Sequence, residues 1–255
     1  MNASPEGAAD EPVREDFRCA VDDLAEVRAA LAAGFRFEGV QRQALRRGAE
    51  IVDAALFARV AGDPDGPVAP AFAPLPDDGL TDGVVRLRAL APADADALYE
   101  EFSDELTVAN GFSGVAPTRA AVAAMAARAG LDWLVGTAAP FAVDDVGSGR
   151  FAGSVRLRQA GPPGVGGIGY SVHPAFRGRG VTSRALRLLV PWAFGPAGFA
   201  RLELGAKADN VTSQRAALSA GFEPDGSRAA RLRYPDGSYA DEVRFVLVNP
   251  AITRR

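Results

Sequence analysis

Val172-His173-Pro174-Ala175-Phe176-Arg177-Gly178-Arg179-Gly180-Val181-Thr182 joins a strand end to an arginine- and glycine-rich loop and then to a helix start. Ile168-Gly169-Tyr170-Ser171-Val172 before it alternates as a strand does, and after it Ala185, Leu188, Leu189 and Trp192 fall on one face of a helix beginning at Val181. A junction of this kind binds phosphate. Its glycines let the backbone turn tightly, the unpaired N–H groups of the helix start point outward, and two guanidinium forks add charge. The plainer reading, a glycine turn with solvated arginines, leaves the ordered setting on both sides unexplained.

Working outward, the pattern predicts a strand over 84–90, a helix over 94–102 starting near Pro92, and a second helix over 118–134 capped by Thr118. Strands follow over 141–146, 151–159 and 168–172. After the helix from Val181 come a strand over 201–206, a helix over 211–220 and a hairpin over 228–248 turned by Pro235-Asp236-Gly237. Pro191 should kink the helix from Val181 or end it. Residues 65–83, part of a Pro- and Gly-rich stretch beginning at Gly62, read as a linker. Residues 1–16 are acidic and rich in Ala, Pro and Gly, and read as a disordered tail with neither a basic leader nor an apolar core.

The 255 residues, 48% hydrophobic and 24% charged, suffice for one large domain with a core of its own plus a fragment. A formal net charge of -4 argues against nucleic acid as a main partner and favours cationic groups such as amines. A single cysteine, Cys19, allows no internal disulfide, and with a single histidine, His173, no zinc cluster is legible, so no metal is expected. No apolar run approaches a membrane span, and a cytoplasmic protein without a membrane partner is the expectation. Lys207 is the only lysine, against an otherwise arginine-based cation set.

The chain also repeats itself. Leu31-Ala32-Ala33-Gly34-Phe35, then Glu38-Gly39 and Asp53, recurs as Leu218-Ser219-Ala220-Gly221-Phe222, then Asp225-Gly226 and Asp241. Residues 17–64 therefore read as a degenerate copy of the last third of a complete domain over 84–250, without the part that carries the glycine loop. Aligning Gly34 with Gly221 sets Asp23 opposite Asn210 and Glu26 opposite Ser213, so two hydrogen-bond donors become carboxylates, which only accept. Such a fragment should bind no polyphosphate, and its open strand edges need cover from the complete domain or a second chain, so a homodimer is one assembly the sequence allows.

Arg177-x-x-Gly180, the helix after it, Asn210-x-x-Ser213 and Ser219-Ala220-Gly221-Phe222 together resemble the GNAT N-acetyltransferases. Ile168-Gly169-Tyr170 and Arg201-Leu202-Glu203 bring the likeness nearest to the branch that acetylates ribosomal proteins, over about residues 84–249. The resemblance implies an α/β fold with a mixed, strongly bent sheet of about seven strands flanked by helices, acetyl-CoA held where two strands splay apart, and transfer of acetyl to a primary amine. Three positions depart from the pattern. Thr182 stands where Gly or Ala is usual, Gly167 where an acid often precedes Ile-Gly-Tyr, and Asp225-Gly226 replaces Glu-Gly.

On that resemblance the N–H groups of Gly178, Arg179, Gly180, Val181 and Thr182 cradle the pyrophosphate, with Arg177 and Arg179 adding charge. Val172 supplies backbone bonds to the pantetheine arm and a donor for the oxyanion. Asn210 donates to the pantetheine or a backbone carbonyl, against a plain helix-capping role. Ser213 hydrogen-bonds the cofactor or protonates the leaving thiolate, against a solvated first turn. Glu203 is the candidate base, against a structural ion pair with Arg201 or another arginine. Tyr170 lies near the acetyl end or is simply a buried aromatic, and His173 is read as surface packing. Cys19 lies outside the loop-bearing domain, so direct attack in a ternary complex is expected rather than a covalent enzyme intermediate. The acceptor would be a small-molecule amine or a protein N-terminus. The competing reading is a CoA-binding regulatory or scaffold protein that has lost turnover.

Overall fold

The computed structural model describes residues 13–234 and 236–253, so most of the tail expected over 1–16 and Pro235 of the hairpin turn lie outside the described residues. The chain divides into two compact units between Pro70 and Ala71.

The first unit contains β1 (Arg14–Ala20), α1 (Leu24–Ala32), β2 (Arg36–Arg47) and β3 (Glu50–Val60), with the strands in the antiparallel order β1-β3-β2. Asp23 starts α1 by accepting from Glu26 N at 3.2 Å. Val27 and Leu31 of α1 are buried, as is Phe57 of β3, and Phe57 meets Phe17 and Phe37 at ring-centre distances of 6.3 and 5.5 Å.

In the second unit β4 (Leu80–Thr81) and β5 (Val85–Ala89) lead into α2 (Ala95–Ser103), α3 (Glu105–Asn110) and α4 (Arg119–Val135). There follow β6 (Ala139–Asp145), β7 (Arg150–Gln159), β8 (Val165–Val172), α5 (Val181–Phe194), β9 (Arg201–Lys207), α6 (Val211–Ser219), β10 (Glu223–Arg233) and β11 (Tyr239–Val248). These strands form one sheet of eight in the order β10-β11-β9-β8-β7-β6-β5-β4, antiparallel throughout except for the parallel pair β8 and β9. The eighth strand is the two-residue β4 at the edge.

Helices cover both faces, as the alternating strands require. Ala185, Leu186, Leu189 and Trp192 of α5 pack on Val155 and Leu157 of β7 and Leu202 and Leu204 of β9. On the opposite face Leu98 of α2 and Val122 and Ala129 of α4 enclose Ala142 of β6. Thr118 caps α4 as the sequence predicts, accepting from Ala121 N at 3.2 Å. Pro191 neither ends α5 nor prevents another turn: the helix runs on to Phe194.

The stretch expected to serve as a linker over 65–83 is different in its second half. Phe72 is buried in the core of the second unit beside Trp133 and Phe199, Trp133 Nε1 donates to Ala73 O at 3.2 Å, and Leu80–Thr81 pairs with β5. Proline and glycine spacing hides this, because a segment can be held by one inserted aromatic ring without any periodic pattern.

The two units share a local architecture. In β9-α6-β10-β11, as in β1-α1-β2-β3, the third strand pairs between the other two. Gly34 and Gly221 both end their helices at positive φ, +85° and +91°. Gln43 and Ala230, nine residues beyond these glycines, both sit at φ 49°, and their N–H groups donate to Asp53 Oδ1 at 2.9 Å and Asp241 Oδ1 at 2.8 Å. Asp53 O and Asp241 O each accept from the residue after the first strand, Val21 N and Ala208 N, at 3.1 Å.

Candidate active site

The parallel ladder between β8 and β9 pairs 165–168 with 201–204 and then stops. Beyond it the strands diverge, and a cleft of about 1480 Å³ opens between them, bordered by α3, the loop after β8 and the start of α6. A polar backbone left without its neighbour needs other partners, so a splayed strand edge is a place for a ligand to add hydrogen bonds. Val172 lies on this edge.

The loop from Arg177 to Thr182 closes one end. Gly178 and Gly180 have φ of +74° and +72°, with open space where a Cβ would stand, and Gly180 is the N-cap of α5. The first N–H groups of α5 have no intrahelical acceptor and carry the positive end of the helix dipole. Gly178, Gly180, Val181 and Thr182 all line the cleft.

The two arginines of the loop are placed less simply. Arg177 pairs with Asp104 and donates to Thr107 Oγ1 at 2.9 Å. Asp104 also caps α3, and Arg177 holds its carboxyl below the usual carboxylate range. Arg177 is therefore a strut between the loop and α3, although part of it lines the cleft. Arg179 is exposed, its guanidinium 5.1 Å from the centre of the Phe176 ring.

Asn210 and Ser213 face the same cleft from α6. Asn210 Oδ1 caps the helix by accepting from Ser213 N at 3.1 Å, which leaves the amide N–H₂ as the donor a ligand could use. Ser213 Oγ lies 2.8 Å from the Tyr170 hydroxyl, so the pair spans from β8 to α6 across the divergence. Burial pushes the Tyr170 phenol above its usual range and keeps it a neutral donor.

Glu203 lines the cleft on β9, but both its oxygens are engaged: Arg201 Nε donates to Oε1 at 2.6 Å and an Arg244 terminal nitrogen to Oε2 at 2.7 Å. Asp225, the short acid after the Gly-Phe corner, joins the network through Arg201 at 2.7 Å. His173, expected at the surface, is 9% exposed. It caps the short 3-10 helix Pro174–Phe176, with Nδ1 accepting from Ala175 N at 3.3 Å and Nε2 lying 3.2 Å from Glu100 Oε2.

Two buried charged residues, Lys207 and Glu101, lie outside the set of site residues that the sequence suggests. Lys207 is buried, donates to Ala109 O at 2.5 Å and lies 3.9 Å from the Tyr234 ring centre, which ties β9 to the end of α3. Glu101 is fully buried on α2. Its position three residues after Leu98 on the inward helical face was the available signal. Among the described residues no cluster of His, Cys, Asp and Glu could hold a metal, and no helix is long and apolar enough to cross a membrane.

Residues 85–223 match the acetyltransferase (GNAT) domain family. The probable N-acetyltransferase YjcK of Bacillus subtilis is 30% identical over 112 residues, 43% of this chain and 61% of that protein, so the match spans less than two thirds of the relative's length. Among solved structures, the GNAT-family acetyltransferase of Bacillus anthracis aligns with a TM-score of 0.59 at 15% identity, covering 66% of this chain and 97% of that one. RimL, the ribosomal L7/L12 alpha-N-protein acetyltransferase in complex with coenzyme A, gives 0.60 at 18% identity, covering 69% and 99%. Mycobacterium smegmatis RimJ, in complex with a CoA disulfide, gives 0.58 at 20% identity, covering 69% and 87%.

Proposed function

Because the chain belongs to the GNAT acetyltransferase family, whose members use acyl-CoA, we propose that it transfers acetyl from acetyl-CoA to a primary amine, either a protein N-terminal α-amino group or a small-molecule amine, by direct attack within a ternary complex. The observation that carries this reading is the coincidence of three features in one cleft: the end of the β8–β9 ladder, the Gly178 and Gly180 turn at the start of α5, and the Ser213–Tyr170 pair.

The loop backbone from Gly178 to Thr182 receives the pyrophosphate, and Arg177 and Arg179 add positive field. Val172 N–H and the unpaired edge of β8 bind the pantetheine arm and the oxyanion that develops on attack. Asn210 donates through its amide. Ser213, hydrogen-bonded to the buried Tyr170 phenol, is the group proposed to protonate the departing thiolate. An α-amino group, with a pKa near 7.7 to 8.0, is partly neutral at cellular pH, whereas a lysine near 10.4 needs a stronger base. Cys19 fits the direct mechanism, since burial pushes its thiol up to about 11.

Titration with acetyl-CoA and assay of thiol release with an amine panel test the reading. Wild-type protein should bind saturably and release thiol, and Gly180→Trp should lower cofactor affinity by about 100-fold or more, the scale of a lost preorganised donor site. Equal affinity in the two proteins overturns it. Glu203 as base is the weaker part, because both its oxygens already accept from arginines. That engagement favours the second reading, a CoA-binding regulatory or scaffold protein, and saturable binding without thiol release would select it.

The N-terminal unit is proposed to be a partial second copy of the fold, over 17–64, beside the complete domain over 84–250. Its matching caps, positive-φ positions and Asp53 latch support that origin. With no glycine loop, and with Asp23 and Glu26 in place of Asn210 and Ser213, it would bind no CoA.

A further inference from the structure

Glu101 is the one side chain of α2 that is both fully buried and ionisable, and the proposed reaction has not used it. Ser154 Oγ of β7 donates to its Oε1 at 2.7 Å, while Oε2 is buried without a hydrogen-bond partner. A buried carboxyl oxygen left unpaired carries a desolvation cost with no visible structural return, which calls for an explanation. Ser171 lies on β8, beside Ser154 in the sheet. The two are paired across the β7–β8 ladder, so both hydroxyls project to the α2 side of the sheet.

Ser171 also borders two spaces. It lines the large cleft beside Val172, and together with Ser154 it lines a second cavity of about 240 Å³ bounded by Leu98, Phe102 and Met125. It thus stands between the unpaired edge of β8, where the thioester is proposed to lie, and the buried acid behind it. Resting on the acetyltransferase reading above, we propose that Glu101 is the terminal proton acceptor of the reaction, acting through the hydroxyl of Ser171 as a positioning residue rather than by contact with the amine. As the amine nitrogen bonds to the thioester carbonyl carbon, its proton passes to Ser171 Oγ and the Ser171 hydroxyl proton passes to Glu101. The C–S bond then breaks, and the thiolate takes a proton from Ser213, which solvent replaces. Glu101 returns its proton to solvent after product leaves.

The surroundings suit an acid that changes state near neutral pH. Burial pushes the Glu101 carboxyl up to about 7, with Ser154 and the more distant positive charge of Arg177 opposing that rise. Arg177 itself is tied to Asp104. From α4 the charged group facing the same 240 Å³ cavity is Asp132, which is held by Arg128 and Arg156 at 3.2 and 3.7 Å, and His173 turns to Glu100. Glu203, by contrast, has no oxygen to spare.

The test measures thiol release against pH, from about pH 5 to 9, around the range where the free carboxyl and the α-amino group titrate, using peptides that begin with serine or alanine and a set of small amines. For wild type, kcat should rise through about pH 7. Glu101→Gln should remove that limb and lower kcat by about 100-fold, the scale of a lost general base, with acetyl-CoA affinity unchanged. Ser154→Ala, which deletes a bond to the ionised form, should move the limb to higher pH. Ser171→Ala, at a partly exposed position, should lower kcat while acetyl-CoA still binds, and it keeps the idea testable if Glu101→Gln does not fold. A wild-type rate and pH profile in Glu101→Gln or Ser171→Ala overturns this inference and leaves the acetyltransferase reading standing. Thiol release from no acceptor by wild type overturns the reading and the inference together.

Discussion

The N-terminal unit and the β9-α6-β10-β11 segment are built alike and carry opposite chemistry. Both start their helix with an Asx residue that accepts from the N–H three positions on, both end it at a positive-φ glycine, and both fold their last hairpin around an aspartate holding a non-glycine residue at φ 49°. What differs is what projects from the shared frame. Asn210 and Ser213 present an amide and a hydroxyl, where Asp23 and Glu26 present two carboxylates. Backbone geometry is set by caps, glycines and one latch, each needing only a hydrogen bond of the right length. The charge and donor capacity offered at these positions rest on two side chains, and these can change while every cap stays satisfied.

The largest effect should come from imposing one region's chemistry on the other. Asn210→Asp with Ser213→Glu keeps a capping oxygen but places negative charge beside a polyphosphate ligand, and should lower kcat/KM by about 100-fold or more; Asp23→Asn with Glu26→Ser should leave acetyl-CoA titrations unchanged. An effect of similar size in both would break the contrast. Next in size is the boundary. A chain starting at Gly83 loses Phe72 from the core of the second unit and should unfold with about 3–5 kcal/mol less stability than one starting at Ala71. Denaturant unfolding separates the two, and if the chain starting at Ala71 fails to bind acetyl-CoA, the N-terminal unit is part of the site rather than a bystander. The smallest effect concerns the latch. Asp53→Ala and Asp241→Ala should each cost about 1 kcal/mol, one hydrogen bond's worth, as read from unfolding midpoints. Clearly unequal losses would say that the two hairpins are held by different means.

Much of the candidate site is legible in the chain because it is local. Gly178 and Gly180 at positive φ, the N-cap Asn210 and the Gly-Phe corners depend on a few consecutive residues, and each was readable from residue type and spacing. The assignments that depend on distant partners were less accessible. Arg177 reads from its neighbours as added charge for a phosphate, and its brace to Asp104, far away in sequence, shows only in the fold. Glu203 reads as a base until Arg244 arrives from β11 to share it with Arg201. His173 reads as surface packing because nothing near it in sequence points to Glu100 on α2, and α3, a separate element of six residues, is too short for periodicity to reveal.

By itself the amino-acid sequence determined most strands and helices of the second unit, the glycine turn before α5 and the family, since all of these are written in short-range pattern. Only the tertiary structure decided where the β8–β9 ladder stops, that Phe72 belongs to the second unit's core, which arginines occupy Glu203, and that Glu101 is fully buried beside Ser154 with one oxygen unpaired. The reason is physical: a turn or a cap is satisfied within a few residues of chain, whereas the availability of a carboxylate oxygen depends on every group the fold brings within hydrogen-bonding distance of it.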